Sequence, residues 1–194
     1  MKLFYSSASP YARKVRVLIR EFEVSVTEKK INTSDNDPDF IKSNPLGKVP
    51  AMTLEDNTII FDSGLIGYYL DEKYNDRHWQ AKTWDHKQLE ASIQGILDQS
   101  VTMIIEKRRP EEIVYDYWIE RYKHAIPRGL AWIWQRYESY LSEGMSLASV
   151  SLVCALEYLD FRHPEIQWRK DLPDLEAWLN HWKGRQSFLE TRPE

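Results

Sequence analysis

The chain has 194 residues, of which 42% are hydrophobic and 29% charged, and its formal net charge at pH 7 is −4. This balance is typical of a soluble globular protein, and the length is enough for one domain or two small ones. The acidic charge, with no Lys/Arg cluster, excludes an electrostatic nucleic-acid binder. No apolar run approaches the roughly 20 residues that cross a bilayer.

The single cysteine, Cys154, excludes a disulfide within the chain. It predicts a reducing compartment, which we take to be the cytoplasm. The first residues lack the long apolar stretch of a signal peptide. The five histidines show no metal-ligand spacing, so we expect no metal site.

Short apolar runs and helical patterns alternate in the first part of the chain. The predicted elements are, in chain order, a strand at 2–5, a helix after Ser9-Pro10, a strand at 23–31, a short helix after Asp37-Pro38, a hairpin of strands at 49–54 and 58–61, and a helix after Asp62-Ser63. The order β-α-β-(α)-β-β-α predicts a compact α/β module.

After a stretch without periodicity, the remaining segments all predict helices. A long amphipathic pattern stops before Pro110, and a second one, over 113–141, contains Pro127, which should kink or split that helix. Residues 146–160 are apolar nearly all round, as in the central helix of a bundle. We therefore predict an α/β domain at 1–74, a linker at 75–85 and an all-helical domain at 86–194.

Ser9-Pro10 has two interpretations. Ser is a preferred N-cap and Pro suits the first helical position, so the pair by itself indicates a helix start. The same helix N-terminus carries partial positive charge and free N–H groups, and a hydroxyl there can donate to a bound thiolate. Serine as a nucleophile is disfavoured, because no His-Asp pair is visible to accept its proton.

Two further motifs have a structural and a binding interpretation. In NPLGKVPAM, residues 44–52, Val49-Pro50 opens a strand. If the bond were cis, the Val49 backbone would face outward, where an extended peptide could pair with it. In the third motif, Asp62 and Ser63 are both good N-caps. The alternative is that the Ser63 hydroxyl and N–H groups bind a carboxylate while Asp62 meets an ammonium.

The three motifs SPYARKVR, NPLGKVPAM and FDSGLIGYYL occur in order within residues 1–74, and SLASVSLVCALEYLDFRHPEIQW follows in the helical part. Together they resemble the cytosolic glutathione transferase (glutathione S-transferase) family, in particular bacterial-type members with a Ser-Pro-Tyr active turn. The resemblance covers nearly the whole chain. It implies a thioredoxin-like α/β N-terminal domain followed by an all-α helical-bundle C-terminal domain.

The resemblance also implies roles for the matching positions. Ser9 would donate to the glutathione sulfur, Val49 before cis Pro50 would pair with the cysteinyl backbone, and Lys48 would reach the glycine carboxylate. Asp62 and Ser63 would hold the γ-glutamyl end. Alternatives to Ser9 at the sulfur are Tyr5, Ser6 and Ser7. Because Ser9 cannot form a mixed disulfide, thiol exchange of the glutaredoxin type is disfavoured.

The implied activity is attack of the glutathione thiolate on a hydrophobic electrophile, with a role in detoxification. Glutathione would be the co-substrate, no metal would be needed, and the protein would be a homodimer. Tyr11, Met103 and Trp118 are candidates for the electrophile pocket. The alternatives are a non-catalytic glutathione-binding or protein-interaction module, or a glutathione-dependent isomerase or lyase.

Overall fold

The computed structural model describes all 194 residues. The elements are, in chain order, β1 Lys2–Tyr5, α1 Pro10–Glu21, β2 Thr27–Lys30, α2 Pro38–Ser43, β3 Ala51–Thr53, β4 Ile59–Phe61, α3 Ser63–Tyr74, α4 Trp84–Lys107, α5 Asp116–Glu143, α6 Leu147–Arg162, α7 Trp168–Asp171, α8 Pro173–Trp182 and α9 Gln186–Leu189. The chain forms two compact units: unit 1 is Met1–Gln80 with Gly184–Glu194, and unit 2 is Ala81–Lys183.

Unit 1 is built on a four-stranded mixed sheet with the order β2-β1-β3-β4. β1 and β2 are parallel, whereas β3 is antiparallel to both β1 and β4. Helices α1 and α3 contact each other, and α2 contacts β3. The predicted thioredoxin-like α/β architecture is confirmed.

The sheet register explains which strand residues form the core of unit 1. Phe4 lies opposite Ala51, and Ala51 lies opposite Phe61. Because side chains alternate between the faces of a strand, these three share one face. Phe4 and Ala51 are buried there against Phe40 of α2. Leu3 and Met52, one position away, are also fully buried, so both faces of the sheet are covered.

Unit 2 contains only helices. α4 packs against both α5 and α6, and α6 also contacts α8. The predicted central position of α6 is confirmed, since its residues 147–156 are all buried. α5 runs as one helix through Pro127. Of the two predicted effects of this proline, a kink or a split, the split does not occur. None of the helices combines the length and the apolar character needed to span a membrane.

The last residues of the chain pack on unit 1. The sequence assigned them to the helical domain at 86–194, and that domain division remains a prediction. Their placement depends on contacts between residues far apart in the chain: Arg185 and Ser187 bind Glu21 of α1, and Phe188 is fully buried. The periodicity of a sequence indicates local structure only, so it contains no information about which part of the chain α9 packs against.

Candidate functional site

The three sequence motifs meet at one end of the sheet. β1 ends at Tyr5 and leads into α1, and the register places Phe4 beside Ala51, where β3 begins. The same register places Ala51 beside Phe61, where β4 ends and leads into α3. The N-termini of α1 and α3 therefore lie on either side of the start of β3. With strands about 4.8 Å apart, two spacings separate β1 from β4 by roughly 10 Å.

Ser9 is the N-cap of α1, as predicted. Its Oγ accepts a hydrogen bond from the Ala12 N–H at 3.2 Å, and Pro10 occupies the first helical position. Ser9 is only partly buried. A hydroxyl oxygen that accepts a cap bond keeps its own proton for donation. The cap and a donor to a bound anion are therefore compatible roles for the same side chain.

The alternatives to Ser9 have neighbours of their own. The Tyr5 ring lies under the Arg16 guanidinium, with 4.2 Å from its carbon to the ring centroid. The Ser6 carbonyl accepts from the Ser9 N–H at 3.0 Å, which closes the turn. The Ser7 hydroxyl bonds Glu194, and Lys30 and Ser7 together lower the pKa of that carboxyl.

Asn44 is a residue of the site that the sequence interpretation missed. Its Nδ2 donates to the Lys48 carbonyl at 2.7 Å, and its Oδ1 accepts from the Leu46 N–H at 3.0 Å. Asn44 is buried, with 2% exposure. Its two hydrogen bonds hold the loop that leads to Val49 in place. Asn before Pro in NPLGKVPAM is a turn signal that could have identified it.

The Val49-Pro50 bond is cis. The ladder between β3 and β1 begins at Ala51, so the N–H and C=O of Val49 lie outside the hydrogen bonding of the sheet. Val49 is partly buried and the neighbouring Lys48 is exposed. This segment leaves one stretch of backbone available between the two helix N-termini.

Asp62 and Ser63 form the start of α3. Asp62 has φ of 76°, and its Oδ1 accepts from the N–H groups of Gly64 and Leu65 at 2.6 and 3.3 Å. A non-glycine residue at such a φ is strained, and strain of this kind clusters at ligand sites. Ser63 is 2% exposed, and its Oγ is buried without a hydrogen-bond partner. A buried polar atom of this kind costs free energy unless a ligand or water meets it.

The residues predicted for the electrophile pocket do not share one environment. Tyr11 is partly buried in α1 of unit 1. In unit 2, Met103 is fully buried in α4, whereas Trp118 is 42% exposed in α5 and stacks on Tyr122 with centroids 5.8 Å apart. Their role in binding an electrophile stays a prediction.

Comparison with known proteins identifies the family of the chain. The family profile described as "Glutathione S-transferase, N-terminal domain" matches residues 3–78, and "Glutathione S-transferase, C-terminal domain" matches residues 116–181. The chain belongs to the glutathione S-transferase family. The family predicted from the sequence is thereby confirmed, and the role of the Ser-Pro-Tyr turn stays a prediction.

Full-length relatives of this transferase family extend the match. The chain is 30% identical to the uncharacterized GST-like protein YibF of Escherichia coli (strain K12), over 100% of this chain and 98% of that protein. A solved glutathione transferase family member from Pseudomonas fluorescens Pf-5, with bound S-(propanoic acid)-glutathione, is 35% identical. It superimposes with a TM-score of 0.89 and covers 100% of both chains.

A second solved structure is similar to this chain over the same length. The glutathione S-transferase of Methylobacillus flagellatus KT, with glutathione bound, is 31% identical and has a TM-score of 0.87. It covers 100% of this chain and 99% of the other. No group of three or more His, Cys, Asp or Glu side chains in this protein could hold a metal ion.

Proposed function

We propose that the protein is a glutathione S-transferase that binds glutathione along this end of the sheet and activates its thiol. The observation that carries the proposal is that β1 and β4, which lead into the N-termini of α1 and α3, end on either side of an unpaired backbone segment, with roughly 10 Å between the two strands. Three extended residues span about 10 Å, so a tripeptide fits between them. The two related structures named above hold glutathione or a glutathione conjugate.

The γ-glutamyl end would lie at the N-terminus of α3. Its carboxylate would accept from the Ser63 hydroxyl, which is buried and has no partner of its own. Its ammonium would meet Asp62, which is exposed and uses Oδ1 for the cap. Burial of the Ser63 hydroxyl makes a bond to a charged group stronger than the same bond in water.

The cysteinyl part would pair its backbone with Val49, as an added strand pairs with a sheet edge. The glycine carboxylate would be within reach of Lys48, which is exposed beside Val49. Asn44 would keep this loop in place through its bond to the Lys48 carbonyl.

The thiol would then lie at the N-terminus of α1. A thiol with a pKa near 8.5 is mostly protonated at pH 7, and each unit by which its pKa falls corresponds to about 1.4 kcal/mol of thiolate stabilisation. The N–H groups of α1 and the Ser9 hydroxyl would supply this stabilisation. After the proton leaves to solvent, the thiolate forms an S–C bond to the electrophile, whose leaving group departs with its electron pair.

We also propose that the protein works as a cytoplasmic homodimer in detoxification. Large apolar side chains on unit 1 support association: Leu65 of α3 is 55% exposed and Ile59 of β4 is 39% exposed. The single cysteine is buried, which suits a reducing compartment. Light scattering at micromolar concentration would show twice the monomer mass of 23.1 kDa for a dimer.

The first test is the ultraviolet thiolate absorbance of glutathione titrated onto the protein across pH. We expect the bound thiol to ionise at least one pKa unit below the free thiol. Binding with an unshifted pKa would favour a non-catalytic binding module instead. Absence of binding would contradict the proposal. A panel of electrophiles at saturating glutathione, with product analysis, then separates transfer from isomerisation or lyase chemistry.

A further inference from the structure

The segment at residues 185–194, here called the C-terminal strap, is hydrogen-bonded to α1. The glutathione thiol is proposed to lie at the N-terminus of that helix. The Arg185 guanidinium donates to both Glu21 carboxylate oxygens, at 2.9 and 2.6 Å. The Ser187 hydroxyl donates to the same carboxylate at 2.5 Å. Glu21 is the last residue of α1, and its side chain is only 8% exposed.

The strap also contacts the first turns of α1. The Arg13 guanidinium donates to the Phe188 carbonyl at 3.3 Å, and both residues are buried, with exposures of 2% and 0%. The Arg13 N–H in turn donates to the Ser9 carbonyl at 3.0 Å. One hydrogen bond therefore separates the residue that meets the strap from the residue proposed to meet the thiol.

Opposite charges fix the position of the strap along the helix. Glu21 pairs with Arg185, and the adjacent Arg20 pairs with Glu190 at 3.0 Å. A shift of the strap by one residue would separate each charge from its partner. Burial alone would raise the pKa of Glu21, but the hydrogen bonds from Arg185 and Ser187 outweigh it and hold that pKa below its usual range. The carboxylate is thus ionised and available for the pair at neutral pH.

We propose that the strap sets the position of α1 and thereby the pKa of the bound thiol, with Glu21 and Arg13 as positioning residues. The inference rests on the proposed function, since it concerns the thiol of the same site. A helix N-terminus acts as about half a positive charge whose effect falls off within one turn. At an effective dielectric near 20, a retreat of about 1 Å would raise the thiol pKa by roughly half a unit.

The test is a charge-reversal cycle. The variants are Glu21→Arg, Arg185→Glu and the double variant that carries both changes. Each single variant places like charges together and should loosen the strap, whereas the double variant restores an opposite pair. The control is Asp160→Asn in unit 2, which removes the carboxylate that Arg169 binds with both terminal nitrogens. All four are compared with the wild type by urea unfolding.

Two measurements distinguish an effect of the strap on the position of α1 from an effect on protein stability alone. The first, amide hydrogen exchange at Arg13, needs no ligand, and we expect it to be about tenfold faster in each single variant. The second is the pKa of the bound glutathione thiol, which should rise by roughly half a unit in each single variant. The double variant should restore both values. Asp160→Asn should lower the unfolding free energy and change neither.

The outcomes distinguish the two proposals. Unchanged exchange at Arg13 in stably folded single variants would overturn the role of the strap, whatever the thiol does. If exchange is faster but the bound thiol keeps the wild-type pKa, below that of free glutathione, the strap only stabilises α1. That result would overturn the inference as well. An unshifted thiol pKa in the wild type would instead contradict the proposed function, and the exchange data would still decide whether the strap positions α1.

Discussion

Two serine caps in this protein have the same local chemistry and different surroundings. In unit 1, Ser9 Oγ accepts from the Ala12 N–H at 3.2 Å. In unit 2, Ser146 Oγ accepts from the Ser149 N–H at 3.1 Å. Ser146 is buried, and its hydroxyl lies 2.9 Å from Ser149 Oγ, which bonds the Gly144 carbonyl at 3.2 Å. Every polar atom of that second cap therefore has a partner within the chain.

The comparison shows that a cap becomes a candidate binding site through its neighbours. Ser9 is partly buried beyond the end of β1, and the backbone segment outside the ladder and the buried Ser63 hydroxyl without a partner belong to the same end of the sheet. Ser146 has none of these features. A capping box would place a carboxylate or amide side chain three residues after the cap, and α6 has Ser149 at that position. The structure replaces it with a hydroxyl that is satisfied locally.

The largest effect that separates the two caps is expected in Ser9→Ala. Loss of a hydroxyl that stabilises a developing anion should reduce turnover by roughly 100-fold. Loss of the cap bond should cost about 1 kcal/mol of unfolding free energy, because the site is partly exposed. Steady-state kinetics with a fixed electrophile and urea unfolding measure the two effects. Turnover equal to that of the wild type would remove Ser9 from the mechanism.

Ser146→Ala is the matched substitution in unit 2, and we expect it to lower stability more than Ser9→Ala does while leaving turnover unchanged. It removes a buried cap and leaves the Ser149 hydroxyl with one partner fewer, so we expect a loss of about 2 kcal/mol of unfolding free energy. Turnover per folded molecule should stay within a factor of two of wild type. A stability loss smaller than that of Ser9→Ala would show that the closed network at α6 adds nothing to its cap.

Ser63→Ala sharpens the comparison within unit 1. Removal of a buried hydroxyl without a partner should leave the free protein equally stable or raise its unfolding free energy by up to about 1 kcal/mol. The Kd for glutathione should rise about tenfold, since a hydrogen bond to a charged group is lost. The control is Ser43→Ala, which removes a buried hydroxyl that bonds the Asp39 carbonyl at 2.9 Å. That variant should lose stability and keep its Kd, as measured by calorimetry.

The smallest effect concerns the pH dependence of unit 2. Nε2 of the fully buried His163 lies 2.8 Å from the Ser100 carbonyl, and its Nδ1 lies 3.3 Å from Lys107 Nζ and 3.7 Å from Glu165. Burial lowers the pKa of His163, and Lys107 lowers it further, against the raising effects of Ser100 and Glu165. The unfolded chain therefore takes up a proton at a higher pH than the folded one.

It follows that stability is full above the unfolded pKa of about 6.5 and decreases as pH falls below it. Between pH 6.5 and 5.5 the loss should be up to about 1 kcal/mol. His163→Gln should flatten that part of the stability profile, whereas His124→Gln, on the exposed face of α5, should not. Urea unfolding at several pH values measures the slope. A slope unchanged in His163→Gln would contradict this assignment.

The features that the sequence predicted depend on near neighbours in the chain. Ser9 and Asp62 cap helices within three residues, and both caps are present. The alternation of strands and helices along the chain predicted the α/β module, whereas the strand order β2-β1-β3-β4 came from the structure. The strap was not predictable, because Glu21 and Arg185 are 164 residues apart and neither belongs to a motif. That the Ser63 hydroxyl has no hydrogen-bond partner was not predictable either. Its burial depends on how completely the rest of unit 1 encloses it.

The strap makes unit 1 discontinuous along the chain, and this affects the order in which the protein can be completed during synthesis. Residues 1–80 emerge first, but their remaining part, 184–194, follows only after the 103 residues of 81–183. At roughly 5–20 residues per second, that interval lasts about 5–20 seconds. Throughout it, α1 lacks the buried partner of Arg13 and the cation that neutralises Glu21. A nascent chain stalled before residue 184 should therefore hold α1 less firmly than a chain that includes residues 184–194.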